Sequence, residues 1–183
     1  MRRFGLALAF GLALLLLDYS EPAPARAAIT FGSDLTLAPS ATPGSCQPTA
    51  GVPCTDVAIS FHPGNALPVT APISGVITAV RYRSTSADTA TLRLARREPL
   101  TGDATGAGTG PTATLVPSGN VESVPTQLRV QAGDYLATDG STTTAFNCNA
   151  SGASWDIYQP TLIDGAAFRS PATTIPCELL IQG

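Results

Sequence analysis

Four kinds of side chain in this sequence have types and spacings that can do chemistry: one histidine, scattered carboxylates, four cysteines and a set of arginines. His62, the only histidine, precedes Pro63 and Gly64 at the end of an apolar stretch. As the base of a Ser-His-Asp system it would need a serine and a carboxylate folded against it. The chain contains no Gly-x-Ser-x-Gly elbow, so His62 reads as a solvated loop residue and no catalytic residue is assigned. Glycosidic cleavage needs two carboxylates about 5 to 9.5 Å apart across a cleft. Past residue 27, glutamate occurs only at Glu98, Glu122 and Glu178. Asp34, Asp56, Asp88, Asp103, Asp134, Asp139, Asp156 and Asp164 stand mostly beside Gly, Ser or Thr, where turn formation accounts for them. An extracellular polysaccharide hydrolase built on a converging carboxylate pair is the alternative reading.

Metal chemistry is weakly encoded. Calcium needs six to eight oxygen ligands, and Asp134, Asp139, Asp156 and Asp164 are the candidate donors, yet no Asp-x-Asp-x-Asp loop joins them. The cysteines, Cys46, Cys54, Cys148 and Cys177, lack the paired Cys-x-x-Cys spacing of zinc knuckles. No metal and no cofactor is therefore expected. An even count in an exported chain reads instead as disulfides, with three possible pairings. Cys46 with Cys54 and Cys148 with Cys177 is favoured, because Pro48, Gly51 and Pro53 shape a short loop between the first two.

Binding chemistry has two candidate surfaces. Arg81, Arg83, Arg93 and Arg97 alternate with apolar residues and would form a guanidinium face for an anionic polymer if their strands were adjacent. The competing reading is a solvated sheet face with balanced charges. Trp155, Tyr158, Tyr135 and Tyr82 are the aromatics available to stack on a sugar. The single tryptophan in a domain with few aromatics fits a core position better.

The elements that position these groups begin after a leader. Arg2 and Arg3 precede an apolar run from Phe4 to Leu17, followed by Asp18, Pro22, Pro24 and the small-x-small triplet Ala25-Arg26-Ala27. This is the order of a secretory signal peptide, and the run is shorter than the roughly 20 residues of a spanning helix. Cleavage after Ala27 would leave 156 of 183 residues, enough for one domain spanning 28–183, with no membrane anchor. Removing Arg2, Arg3 and Arg26 from ten basic residues, and Asp18 and Glu21 from thirteen acidic ones, leaves seven against eleven. A net charge of −4 without a single lysine excludes a run of phosphate contacts, and with it nucleic acid as a partner.

Proline and glycine punctuate nearly every ten residues of the exported part, so strands rather than helices are expected. Nine short runs qualify: 29–37, 56–61, 75–83, 90–97, 112–116, 126–130, 134–138, 154–158 and 178–182. In the third, Val76, Thr78, Val80 and Tyr82 alternate with Ile77, Ala79, Arg81 and Arg83. In the fourth, Leu92 and Leu94 point inward and Arg93 and Arg97 outward. Helix formers make 90–98 the one place where a helix competes. The two runs are expected to pair as a hairpin, and the glycine-rich stretch between Pro99 and Pro111 to be a mobile tip.

Gly75 to Arg83, Leu92-Arg93-Leu94, Leu128 to Leu136 with its Ala132-Gly133-Asp134 corner, and Leu179 to Ile181 together resemble a loosely defined group of secreted bacterial proteins of unknown function. That resemblance implies a jelly-roll-like antiparallel β-sandwich and carries no catalytic residue; this chain departs from it at Ala137-Thr138, where the group has Gly-Leu. The expectation is one all-β sandwich of eight to ten strands and two disulfides. It would be secreted or cell-surface, and would serve without enzymatic activity, as a structural part or by binding a glycan or cell-wall polymer.

Overall fold

The computed structural model describes residues 28–40, 46, 49, 51–85, 87–140, 146–149 and 151–183. The leader, residues 1–27, lies outside them. Among the described residues there is no helix, and none is long and apolar enough to cross a membrane. The strands are β1 (Cys54–Ser60), β2 (Gly75–Arg83), β3 (Asp88–Arg97), β4 (Ala104–Leu115), β5 (Val121–Val130) and β6 (Tyr135–Gly140). They continue as β7 (Phe146–Asn147), β8 (Ser154–Tyr158), β9 (Thr173–Ile175), β10 (Glu178–Leu179) and β11 (Ile181–Gln182). Only Leu180 separates β10 from β11, so the C-terminal run is one strand that changes sheet.

Every strand ladder is antiparallel. A six-stranded sheet has the order β4-β3-β6-β1-β8-β9, a three-stranded sheet the order β11-β2-β5, and β10 pairs with β7. The run through Phe31 and Ser33 extends the smaller sheet, bonding to Gly183 and to Ile181 beside the Gly32–Gln182 bridge. Ile77, Val80, Tyr82 and Val130 from the small sheet share one core with Leu92, Leu94, Leu136, Trp155 and Ile157 from the large one. The expected antiparallel sandwich is present.

Three expectations about β2, β3 and β4 are corrected. β2 pairs with β5 and β11, and β3 with β4 and β6, so 75–83 and 90–97 are not a hairpin. An apolar side is buried equally well beside a like strand or across the core from one, and here Ile77, Val80 and Tyr82 of β2 meet Leu92 and Leu94 of β3 across the core. Within β2, Ile77 is buried and Val76 exposed, the reverse of the simple alternation. The β2–β5 ladder is irregular between Ile77 and Ala79, where Pro125 lies opposite Ala79. Proline has no N–H to donate, and such a break shifts which side chains point inward.

The stretch between Pro99 and Pro111 is not a mobile tip, since β4 starts at Ala104 and pairs with β3 along its length, with register shifts between Thr91 and Arg93 and between Leu94 and Ala95. Its glycines allow close approach: a Cβ at Gly110 would meet Leu92 Cδ2 at 2.8 Å, and one at Gly106 would meet Asp164 at 2.6 Å. What reads as chain without cohesion is chain into which neighbours pack.

The cysteine pairing is as expected, Cys46 with Cys54 and Cys148 with Cys177. Two disulfides fit an oxidising compartment. A second, smaller apolar cluster lies on the other side of the large sheet, where Leu162 packs with Val57, Ala95, Ala104, Ala137 and Tyr158.

Candidate functional site

The four arginines expected on one face are divided between the sheets and mostly engaged. Arg93 is buried and binds Asp164 at 3.0 Å and Asp139 at 3.4 Å, with further bonds to Thr109 and the Leu162 carbonyl. Arg97 Nε donates to the buried Asp156 at 2.9 Å. Burial acts to lower the Arg97 pKa, but its bond to Asp156 and that carboxylate's charge outweigh it and raise the value. Arg83 ties two loops together, donating to the carbonyls of Gly119, Leu35, Thr36 and Leu37. Arg81 alone is exposed, with one bond from Nη1 to Gln182 Oε1 at 3.1 Å. A common guanidinium face therefore does not form, because two of the four residues serve as counter-ions beneath the 159–172 segment.

The four aspartates named as candidate calcium donors are each engaged by arginine. Asp134 is held by Arg96, Asp156 by Arg97, and Asp139 and Asp164 share Arg93. Each carboxylate faces a guanidinium rather than an open oxygen cage. Burial raises the Asp139 pKa, while its bond from Thr55 and the Arg93 charge act to lower it and Asp164 adds to the rise.

Of the aromatic candidates, Trp155, Tyr158 and Tyr82 are inside, and Tyr135 is half-buried against the smaller cluster. Trp155 is 1% exposed and Tyr158 fully buried, so neither offers a flat surface to a sugar. Burial pushes the phenols of Tyr82 and Tyr158 up.

His62 is not an isolated loop residue. Its Nδ1 lies 2.7 Å from Glu178 Oε2, its backbone N–H donates to the same oxygen at 3.1 Å, and its Nε2 is 3.7 Å from Asp34 Oδ2. Glu178 is fully buried and also accepts from Ser33 Oγ at 2.6 Å. Ser33 thus bonds the carboxylate and not the imidazole, which is not the order of a Ser-His-acid triad. Asp34 is fixed by Thr36, whose backbone N–H and hydroxyl both donate to Oδ1. Sequence reasoning placed Asp34 among turn residues and Glu178 at a strand start. No local signal joins residues 116 positions apart.

A groove of about 420 Å³ crosses the outer surface of the small sheet. The run from Ala28 to Phe31, the Pro72-Ile73 turn and β2 form its walls. Ile29, Ile73 and Val76 line it at 49%, 45% and 50% exposure. Among its lining side chains, Arg81 is the only charged one. The β2 irregularity creates this surface, since it turns Val76 outward and leaves Arg81 on the same side.

Compared with protein-family models, with curated proteins and with solved structures, the chain matches none.

Proposed function

We propose that this chain is an exported β-sandwich that works by binding rather than catalysis, and that its ligand is a small amphipathic anion held in the groove on the smaller sheet. The observation that carries the reading is the make-up of the groove: three half-exposed aliphatic side chains, no carboxylate side chain, and the Arg81 guanidinium. Its volume is within the roughly 300 to 1,000 Å³ of small-molecule sites. An apolar tail would cover Ile29, Ile73 and Val76, while a carboxylate or sulfate head would take the donors Arg81 does not spend on Gln182. Export is supported by the order of charged, apolar and small residues in the leader and by the two disulfides.

Binding of a glycan through Trp155 and Tyr158 has no support from their buried positions. The hydrolase alternative fares no better in the groove, which has no carboxylate side chain to act as acid or base.

The test is fluorescence titration with anilinonaphthalene sulfonate, displaced by decanoate or by decanol. Decanoate is expected to displace the dye, and Arg81→Gln to weaken decanoate roughly tenfold, the loss of one charge-assisted hydrogen bond, while leaving decanol unchanged. Equal decanoate affinity in wild type and Arg81→Gln would overturn the reading.

A further inference from the structure

Around His62 the side chains leave one gap that calls for a positive charge. Glu178 Oε2 already accepts the His62 backbone N–H, and because an ionised carboxylate can only accept, the 2.7 Å contact assigns the proton to Nδ1. This carboxylate–imidazole contact orients the ring as second-shell carboxylates orient metal-binding histidines, and directs the Nε2 lone pair away from the core. Nε2 then faces Asp34 Oδ2 at 3.7 Å. That is too long for a hydrogen bond, and two lone pairs meet there unless a cation lies between them.

We propose that His62 Nε2 and Asp34 Oδ2 bind a divalent first-row metal ion of the zinc type, with water completing its coordination. Zinc stands about 2.0 to 2.2 Å from imidazole nitrogen and carboxylate oxygen, which places two tetrahedral ligands about 3.4 Å apart, a few tenths of an ångström from the separation found. Imidazole with carboxylate suits zinc better than calcium, which takes oxygen alone. The donors are pre-positioned. Thr36 holds Oδ1 of Asp34 and so leaves Oδ2 for the ion. Glu178, fully buried, sets the ring.

Gly64 supplies the independent observation. A Cβ at this position would stand 3.2 Å from Nε2 and 3.1 Å from Cδ2 of His62, tighter than an ordinary contact and against the ring edge that ends in the nitrogen facing Asp34. The absent side chain leaves the ring room to hold this orientation toward Asp34. The competing occupant is a proton, which would make His62 an imidazolium between two carboxylates.

Because His62 is the only histidine, its ring nitrogens give unambiguous NMR signals in the purified, disulfide-bonded protein. Zinc chloride is expected to shift the Nε2 resonance and leave Nδ1 hydrogen-bonded, whereas magnesium chloride leaves both unmoved. Asp34→Asn should weaken zinc at least tenfold by calorimetry. Gly64→Ala, which keeps every ligand, should do the same by crowding the ring away from Asp34 and covers the case in which Asp34→Asn fails to fold. An Nε2 signal unmoved by millimolar zinc, or zinc affinity unchanged in Gly64→Ala, would overturn the proposal.

Discussion

Val76 and Ile77 are adjacent in the chain and lie on opposite surfaces of the smaller sheet, Val76 half-exposed in the groove wall and Ile77 buried beneath it. The two positions should respond unequally to truncation. Ile77→Ala removes packed core and is expected to cost about 3 kcal/mol, whereas Val76→Ala stays within about 0.5 kcal/mol. Urea denaturation of both variants checks this; equal losses would mean that the strand faces are misassigned.

Tyr82 buries its hydroxyl with no hydrogen-bond partner among the described residues. A buried polar group left unpaired costs about 1 to 3 kcal/mol. Tyr82→Phe keeps the ring and removes the unpaired atom, so its midpoint of thermal unfolding should equal or exceed that of the wild type. A drop of several degrees would show that the hydroxyl is satisfied.

Asp139 carries a pKa above its ordinary value because burial outweighs the help of Thr55 and Arg93. The folded state then holds the proton more tightly than the unfolded chain does. The contribution of this group is complete below the ordinary carboxylate pKa and is lost as pH rises through the raised value. Asp139→Asn does not titrate, so its stability relative to wild type should improve between pH 4 and pH 7. Denaturation curves at the two pH values test the sign, and a relative stability that falls with pH would contradict it.

The disulfides should contribute unequally. Cys148–Cys177 spans 29 positions and Cys46–Cys54 only 8. On the chain-entropy account, removing the longer one costs roughly 3.5 kcal/mol and the shorter roughly 2.5. Paired Cys→Ser variants compared by urea denaturation give the order, and a larger loss at the shorter loop would point to native contacts rather than loop length.

Much of the strand content was legible because short apolar runs between Pro and Gly have few other ways to fold. Ser154–Tyr158 is found with the expected bounds, Leu92 and Leu94 are buried as their spacing implies, and Gly133 takes the positive φ anticipated for its corner. Partnership between strands was not legible, since alternation tells which side of a strand is oily but not which strand lies beside it. The arginine face failed for this reason. Glycines 106, 108 and 110 misled because the absence of a side chain reads alike for slack chain and for close packing; only the positions of Leu92, Leu128 and Asp164 distinguish them. Asp34, His62 and Glu178 meet through the fold alone. The groove depends on a register break whose one visible cause is Pro125.

The binding account is tested most directly by mapping where an amphipathic anion lands. On titration with decanoate, backbone amide NMR shifts should concentrate in residues 28–31, 73–81 and 182–183, and Arg81→Gln should abolish those near residue 81 first. Shifts centred on the 159–172 segment over the large sheet, or no saturable shifts at all, would contradict it.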